Sequence, residues 1–413
     1  MRSWRMVWMV VMIALLIDLY VFQAVKAITR ASFPHWQTII YYAYWGCSVL
    51  ALIILCLLPF IRQYFARFQG YVFFGVLSLY FAKLLACVFL LIDDIRRLIQ
   101  WVIGRLSAAP ATGAAVTSEG IARSVFLSWL GIGIGVALYA AFLYGFSNKY
   151  NYRVRKLTLT FDNLPASFKG FKIVQLSDIH SGSFKDKAAV GRGVDKVLAE
   201  KPDLILFTGD LVNDRAVEMI DYKDIFARLK APMGVFSTLG NHDYGDYVGW
   251  ETPEQKTNNL SHLMELQREM GWRLLMNEHV VFERGGEQIA LIGIENWRAK
   301  ARFPKYGKMN AAYPGTEKYP FKILMSHDPS HWDAEVRSKY PDIDLTLSGH
   351  THGMQFGIEL SWLKWSPVQF VYKEWAGLYE EGRQKLYVNR GFGFIGYPGR
   401  VGILPEITVI ELT

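Results

Sequence analysis

Cysteine is scarce in this chain, with three among 413 residues. All three, Cys47, Cys56 and Cys87, lie in apolar segments. This pattern is typical of small buried side chains, and it excludes a disulfide framework and a cysteine-based zinc set. Because no cysteine follows residue 150, cysteine usage does not indicate the redox compartment of the later region.

Charged residues are also few, at 20% of the chain, whereas 52% of the residues are hydrophobic and 15% are aromatic. The apolar excess is concentrated before about residue 147. A net charge of +8 is compatible with nucleic-acid binding, but the chain contains no motif for it. Basic residues beside membrane-spanning helices explain the charge better, so we expect a lipid bilayer, and no nucleic acid, as a partner.

Four segments are apolar and long enough to cross a bilayer, which takes roughly 20 helical residues. They span residues 6–27, 38–60, 71–92 and 125–146, so we predict a bundle of about four transmembrane helices. Residues 25–27 loosely resemble a signal-peptide cleavage site, but the spans that follow favour a retained first helix. Glycines 131, 133 and 135 in the fourth span permit close helix packing.

Two charged residues lie well inside these spans, Asp18 in the first and Lys83 in the third, whereas Lys26 lies at the end of the first. Because charge is costly in the hydrocarbon, two arrangements are open. The two side chains pair with each other or line a polar cavity, or else Lys83 extends to the interface and Asp18 lies near it. The first arrangement would also suit a transport or partner-binding role for the four spans.

We assign residues 1–147 to a transmembrane domain, 148–156 to a basic linker and 157–413 to a second domain. Between the third and fourth spans, residues 94–106 predict an interfacial amphipathic helix, and the small residues of 107–118 predict a flexible loop. Lys and Arg are slightly more numerous on the side that holds both ends of the four spans. This bias favours a cytoplasmic second domain.

The second domain alternates short apolar strands with amphipathic helices, a pattern typical of α/β folds with functional groups at the strand ends. The predicted strands are residues 171–176, 204–207, 234–239, 272–276, 279–283, 288–294, 321–326, 343–348, 385–389 and 406–412, and the predicted helices are 186–200 and 216–229. A two-layer sheet core flanked by helices accommodates this pattern.

Polar motifs follow five of these strands. In chain order they are Asp178-Ile179-His180, Gly209-Asp210, Gly240-Asn241-His242-Asp243, Ser326-His327 and Gly349-His350-Thr351-His352, and they contain five of the nine histidines. The short motifs are weak signals by themselves, since such tripeptides also occur in ordinary turns. Five motifs in this order, each after an apolar strand, indicate one shared site.

The ligand chemistry of these motifs is mixed. Asp178, Asp210 and Asn241 offer oxygens, and His180, His327, His350 and His352 offer imidazole nitrogens. Seven such ligands exceed what one tetrahedral zinc ion needs, and they suit two divalent ions such as Mn, Fe or Zn with one bridging carboxylate. Two such ions about 3.5–4 Å apart can clamp a phosphoryl group and lower the pKa of a water molecule.

The same motifs resemble the calcineurin-like metallophosphoesterase family, and most closely its membrane-associated bacterial YkuE/YaeI-like type. Met354 and the Glu295-Asn296 pair depart from the pattern of those relatives without touching a metal ligand. The resemblance implies a four-layer α/β/β/α sandwich with a dinuclear centre, preceded here by about four transmembrane helices. It assigns Asp178, His180, Asp210 and His352 to one metal, Asp210 as a bridge, Asn241, His327 and His350 to the other metal, and catalysis to His242, with Asp243 as its hydrogen-bond acceptor.

The function implied is that of a membrane-anchored phosphoesterase acting on a phosphodiester, pyrophosphate or phosphomonoester. A lipid-linked substrate is favoured, and UDP-diacylglucosamine is one candidate by resemblance. The expected location is the bacterial inner membrane, with the catalytic domain cytoplasmic. The alternative is a membrane sensor or scaffold that binds a phosphorylated ligand without turnover.

Two later segments have two interpretations each. The aromatic stretch from Trp362 to Trp375 either docks on the bilayer or an acyl chain, or packs over the core of its own domain. Arg390, in a glycine-rich loop, either contacts substrate phosphate or forms a structural salt bridge.

Overall fold

The structure is a computed structural model that describes residues 2–64, 66–107, 122–299 and 304–413. The chain divides into two compact units, Met1–Tyr144 and Gly145–Thr413. Each unit has its own secondary structure and its own core.

The first unit is built from long helices: α1 (Arg2–Thr29), α2 (Pro34–Tyr64), α3 (Ala66–Ser107) and α4 (Val125–Asn148). Each of the four contains a stretch long and apolar enough to cross a membrane. The prediction of four transmembrane helices is therefore confirmed. Residues 94–106 are helical, as predicted, but they continue α3, which runs unbroken for 42 residues. The predicted loop at 107–118 lies almost entirely outside the described residues.

Asp18 and Lys83 form an ion pair in the interior of this unit. Lys83 Nζ lies 2.5 Å from Asp18 Oδ1 and 2.9 Å from Ser48 Oγ. Ser48 and Tyr80 each donate a hydrogen bond of 3.0 Å to the Asp18 carboxylate. The pairing hypothesis is thus correct, and the hypothesis of an interfacial Lys83 is wrong. The network joins α1, α2 and α3, because its members come from all three helices.

Helix α4 packs against α3 through glycine. A Cβ atom at Gly135 would lie 3.0 Å from the Ala82 carbonyl oxygen, and one at Gly131 would lie 3.2 Å from the Ala86 carbonyl oxygen. Glycine at these two positions therefore permits the close approach of the helix backbones.

The second unit contains fourteen strands among the described residues. They are β1 (Arg153–Leu159), β2 (Lys172–Leu176), β3 (Leu204–Phe207), β4 (Val235–Ser237), β5 (Arg273–Leu274), β6 (Glu278–Arg284), β7 (Glu287–Gly293), β8 (Lys322–Met325), β9 (Leu345–Ser348), β10 (Ile358–Glu359), β11 (Lys364–Trp365), β12 (Gly377–Glu381), β13 (Gln384–Val388) and β14 (Glu406–Leu412). One six-stranded sheet has the order β1-β14-β2-β3-β4-β5, and the other has the order β12-β13-β9-β8-β7-β6. Strands β10 and β11 form a small separate hairpin.

The helices of this unit are shorter. They are α5 (Lys187–Ala199), α6 (Val217–Ile220), α7 (Lys223–Phe226), α8 (Pro253–Glu269), α9 (Met309–Ala312), a π-helical turn (Trp332–Val336) and α10 (Arg337–Lys339). The helix predicted at 216–229 is two short helices. Sequence analysis missed α8 because its composition is mostly polar and few of its side chains, among them Leu263 and Leu266, are buried. Its N-cap is Thr252, whose side chain accepts a hydrogen bond from the Gln255 amide.

The alternation of side chains along the strands produces the layers. Ile173 of β2 and Leu206 of β3 pack between the two sheets, against residues such as Ile323 of β8. Val174 and Phe207, one residue further along, face the opposite way into the core beneath the helices. A third core lies between the second sheet and its own helices. The predicted α/β/β/α sandwich is therefore confirmed.

The boundary of the predicted linker differs from the structure. Strand β1 begins at Arg153, inside the segment 148–156, and pairs in parallel with β14 from Arg153–Glu406 to Leu159–Leu412. The segment was predicted to be a linker because its side chains are polar and basic. They are tolerated because β1 is an edge strand, where Arg155 forms an ion pair of 2.5 Å with Glu359.

Candidate metal centre

The five polar motifs lie in loops that leave the carboxyl ends of β2, β3, β4, β8 and β9. Backbone hydrogen bonds tie these loops to one another. The Asp178 amide donates to the Gly209 carbonyl at 2.9 Å, and the His180 amide donates to the Asp210 carbonyl at 3.1 Å. On the second sheet, the Gly349 amide donates to the His327 carbonyl at 2.9 Å. The two sheets thus deliver their polar residues to one place.

Most of the candidate ligands have an unusual backbone conformation. The left-handed region is occupied by Asp178 (φ 53°), His180 (φ 49°), Asp210 (φ 61°), His350 (φ 70°) and His352 (φ 50°). Non-glycine residues rarely adopt this conformation, and each instance costs of order 1–3 kcal/mol. Such strain persists only where the surrounding structure enforces it, and it concentrates at functional sites.

Two glycines leave room for the carboxylates. A Cβ atom at Gly349 would overlap the side chains of Ser177 and Asp178, and a Cβ atom at Gly240 would overlap the carboxylate of Asp210. A larger residue at either position would displace an aspartate, which explains why glycine precedes the histidine and asparagine motifs.

One group of ligand atoms comes from Asp178, His180 and His352. His180 Nε2 lies 3.0 Å from His352 Nε2, and His352 Nε2 lies 3.3 Å from Asp178 Oδ1. Burial lowers the pKa of His180 to about 3 and that of His352 well below its ordinary value, so both rings are neutral. Two nitrogens on one tetrahedral zinc ion would be about 3.3 Å apart, given Zn–N bonds of about 2.05 Å. The observed spacing fits a shared cation.

A second group comes from Asp210, His327 and His350. His327 Nε2 lies 3.1 Å from Asp210 Oδ2 and 3.3 Å from His350 Nδ1. His327 Nδ1 donates to the Thr208 carbonyl at 2.7 Å, which leaves Nε2 as the ligand atom. Burial acts to lower the pKa of His327, but the Asp210 carboxylate overrides it and raises that pKa to about 10. Asp210 Oδ2 is also 3.6 Å from His180 Nε2, so it reaches both groups.

Asn241 supplies an independent sign that a cation belongs here. Its Oδ1 atom is buried and has no hydrogen-bond partner among the described residues, whereas its Nδ2 donates to the Tyr247 hydroxyl at 2.8 Å. An unpaired buried carbonyl oxygen is costly unless something absent from the protein itself satisfies it. Hard oxygen donors beside neutral imidazoles fit divalent cations.

His242 lies beside both groups and belongs to neither. Its amide donates to Asp210 Oδ1 at 2.9 Å, and its Nδ1 donates to the Asn213 carbonyl at 2.6 Å. The expected hydrogen bond from His242 to Asp243 is wrong. The Asp243 carboxylate is buried and instead accepts the backbone amides of Asp210, Leu211 and Gly240 at 2.9, 2.7 and 2.8 Å. Asp243 therefore braces the ligand loops through their backbone amides.

The sequence of this chain matches known protein families. Residues 171–354 match the family described as Calcineurin-like phosphoesterase, and residues 1–149 match the family described as Probable Calcineurin-like phosphoesterase, transmembrane domain. A metallophosphoesterase from Bacillus subtilis (strain 168), YkuE, is 31% identical over 60% of this chain and 81% of its own length. The chain belongs to the calcineurin-like phosphoesterase family. It is a metal-dependent phosphoesterase with a transmembrane domain, as the motifs predicted.

Two further relatives are similar in sequence to this phosphoesterase. A transmembrane protein with metallophosphoesterase domain from Danio rerio is 31% identical over 63% of this chain, which spans only 57% of that relative. The UDP-2,3-diacylglucosamine pyrophosphatase LpxG of Chlamydia muridarum (strain MoPn / Nigg) is 26% identical over 68% of this chain and 92% of its own length.

The sequence motifs did not predict two side chains of the phosphoesterase site. The Tyr372 hydroxyl lies 2.8 Å from His350 Nε2 and donates to Asp328 Oδ2 at 3.2 Å. Arg400 is buried, lies 3.3 Å from His352 Nδ1, and donates to the Arg390 carbonyl at 2.7 Å. Burial lowers the pKa of Arg400 to about 9. The position of Asp328 directly after His327 in the sequence could have indicated that the Tyr372 contact belongs to the site. No sequence motif marked Arg400.

The expectation that Arg390 contacts substrate phosphate is corrected by its surroundings. Its side chain is 3% exposed and lies 2.5 Å from both Glu406 and Glu359. These carboxylates occupy both ends of the guanidinium group, so the alternative interpretation, a structural salt bridge, is the correct one.

Proposed function

We propose that this phosphoesterase uses two divalent ions, Mn, Fe or Zn, to hydrolyse the phosphodiester or pyrophosphate bond of a lipid-linked substrate. The observation that carries the proposal is the position of Asp210, whose Oδ2 atom lies 3.1 Å from His327 Nε2 and 3.6 Å from His180 Nε2. One carboxylate within reach of two ligand groups suits a bridged pair of ions better than two independent sites.

The ligand roles follow from the two groups. We assign Asp178, His180, Asp210 and His352 to one ion and Asp210, Asn241, His327 and His350 to the other. When bound, such ions neutralise charge on the phosphoryl oxygens and lower the pKa of a water molecule. The protein positions the ligand side chains, because the strained loops and the Asp243 carboxylate hold them in place before substrate binds.

His242 is the residue that we assign to the leaving group. Its Nδ1 is committed to the Asn213 carbonyl at 2.6 Å, so Nε2 is the atom left to meet the substrate. A proton held at Nε2 would pass to the departing oxygen as the phosphorus–oxygen bond breaks. The adjoining Tyr247 ring, stacked at 4.4 Å between ring centroids, limits rotation of the imidazole.

The preference for a lipid-linked substrate has two supports. The chain is an integral membrane protein by its four apolar helices and its transmembrane family match. In addition, the relative LpxG is named for a diacylated nucleotide-sugar substrate. We further propose a bacterial inner-membrane location with the catalytic domain in the cytoplasm, as the distribution of Lys and Arg favours. A reporter fused to the carboxyl terminus tests this orientation, and reporter activity in the periplasm would overturn it.

The first experiment measures hydrolysis of bis(p-nitrophenyl) phosphate by the full chain in detergent. It is run with Mn²⁺, with chelator, with His242→Ala, and with His262→Ala as the control, since His262 is an exposed residue of α8. We expect metal-dependent turnover that is lost only with chelator or in His242→Ala. Two ions bound per chain without turnover on this or any lipid-linked diester would favour the sensor alternative.

A further inference from the structure

Exposed apolar side chains in the second unit are concentrated in one short segment. Among its described residues, ten large apolar side chains are exposed, and six of them lie within residues 354–371. These six are Met354, Ile358, Leu360, Trp362, Phe370 and Val371. Trp362 is 78% exposed and Phe370 is 80% exposed, the highest values of the ten. Scattered single residues need no explanation, but a local concentration with two aromatic rings indicates an interaction surface.

This segment, which we name the apolar lobe, is an ordered structure. Strands β10 and β11 pair as a hairpin, with Ile358 opposite Trp365, and the tip closes by backbone hydrogen bonds in both directions between Leu360 and Leu363, at 2.8 and 3.3 Å. Trp362 stands at that tip. The Ser366 hydroxyl donates to the Gly353 carbonyl at 2.9 Å, which returns the chain to the start of the lobe.

The aromatic stretch therefore divides into two parts with different surroundings. Trp362 and Phe370 are exposed, whereas Val368, Tyr372 and Trp375 belong to a buried cluster. The packing interpretation of this stretch is confirmed for the buried part, whereas the docking interpretation stays a prediction for the exposed part. The buried part fixes the lobe to the domain, so the exposed rings are presented on a firm support.

The apolar lobe is attached directly to the metal-ligand loop. Met354 is two residues after His352, and the Thr351 hydroxyl donates to the Trp375 carbonyl at 2.5 Å. At the other end of the lobe, the Tyr372 hydroxyl lies 2.8 Å from His350 Nε2. The exposed apolar surface and the candidate metal centre are thus held together by a few residues.

We propose that the apolar lobe inserts into the surface of a lipid bilayer, beside the candidate metal centre. Exposed Trp, Phe and Leu side chains are of the kind that anchors proteins at the membrane–water interface. A bilayer is the occupant that the molecule favours, because four apolar helices of the same chain already place it at a membrane. Insertion would bring the site to phosphate groups at that surface, a consequence that rests on the proposed function.

The insertion itself is tested without any reference to catalysis. Cys47, Cys56 and Cys87 are replaced by Ser, and Trp362→Cys is labelled with bimane in full-length protein reconstituted into phosphatidylcholine/phosphatidylglycerol vesicles. The control carries Ile220→Cys, since Ile220 is 52% exposed on α6. We expect doxyl-labelled lipid to quench the label at 362 and aqueous iodide to quench the label at 220.

Two outcomes of this experiment would overturn the proposal. Iodide quenching at 362 equal to that at 220 would show that the lobe faces water. Protection from iodide without quenching by lipid would place protein over the lobe, such as a second copy of the chain. Each labelled variant must retain hydrolysis of bis(p-nitrophenyl) phosphate or, if the wild type has none, the wild-type unfolding temperature.

A kinetic comparison tests the link to the substrate. The double variant Trp362→Gln/Phe370→Gln is assayed on a diacyl p-nitrophenyl phosphodiester embedded in vesicles and on soluble bis(p-nitrophenyl) phosphate. We expect roughly a tenfold loss of kcat/KM on the embedded diester and no change on the soluble one. Ile220→Gln should change neither. Equal rates for the double variant and wild type on both substrates would overturn a role of the lobe in hydrolysis, while a wild type inactive on both would instead contradict the proposed function.

Discussion

His242 Nδ1 lies 2.6 Å from the backbone carbonyl oxygen of Asn213. This contact commits the Nδ1 proton to the main chain and defines Nε2 as the nitrogen available to substrate. A carbonyl, which cannot be protonated in the working pH range, thus orients the candidate catalytic histidine in place of the expected carboxylate of Asp243.

Replacing His242 by Ala should reduce kcat on a phosphodiester by about 100-fold to 10,000-fold, the usual contribution of a positioned acid or base. The metal content, measured by mass spectrometry of the purified protein, should stay unchanged because His242 belongs to neither ligand group. Loss of metal together with activity would contradict this separation of roles.

Asp243→Asn should lower both metal content and thermal stability. Four backbone amides, those of Asp210, Leu211, Val212 and Gly240, donate to the carboxylate, so an asparagine NH₂ group placed among them leaves buried donors unpaired, at a cost of about 1–3 kcal/mol for each. Asp224→Asn is the matched control, since Asp224 is exposed on α7. An Asp243→Asn protein with wild-type unfolding temperature and full metal occupancy would refute the bracing role.

Asp210→Ala should lower the metal content more than substitution of a ligand that belongs to one group only. We expect the Asp210 variant to retain almost no ions, whereas His180→Ala and His327→Ala each retain close to one per chain. The reason is that the Asp210 carboxylate reaches both groups. Metal analysis after gel filtration, with circular dichroism to verify folding, decides the matter. One ion retained by the Asp210 variant would show that the groups are independent.

Arg390→Met should destabilise the protein by about 3–5 kcal/mol, because it leaves Glu406 buried without its closest cation. Adding Glu406→Gln should recover part of the loss. A substrate-binding role would instead raise KM and leave the unfolding temperature unchanged.

The same pair predicts a pH dependence. Burial acts to raise the pKa of Glu406, but Arg390 and then Arg155 hold it below its ordinary value. A lowered carboxyl pKa contributes stability above the unfolded value, about 4.3, and this contribution is lost as the pH falls through the folded value. The unfolding temperature of the wild type should therefore fall more steeply below pH about 4 than that of the Glu406→Gln variant.

Neutralising one member of the Asp18–Lys83 pair should destabilise the helical unit by roughly 3 kcal/mol, since the other charge stays buried. The double variant Asp18→Asn/Lys83→Met should be less affected than either single variant. Hydrolysis of a soluble diester should not change. A loss of hydrolysis in a stably folded variant would link these residues to the enzyme.

By itself, the sequence determined the local features of this protein. Apolar runs marked strands such as β2, β3 and β8, since buried strands must be apolar regardless of their partners. The four transmembrane helices followed from length and hydropathy, which a bilayer imposes directly. The candidate ligands followed from their position after strands, because the carboxyl ends of parallel strands meet at one edge of a sheet.

Only the tertiary structure decided how side chains pair across long stretches of chain. Arg390 and Arg155 both meet Glu359, which is 204 residues from Arg155, and Lys83 meets Asp18 across 65 residues. The partner of His242 and the shielding of Arg390 likewise depended on loops brought together by folding. Local patterns carry no information about such contacts, because their energy arises only when the two sheets and the three helices have packed.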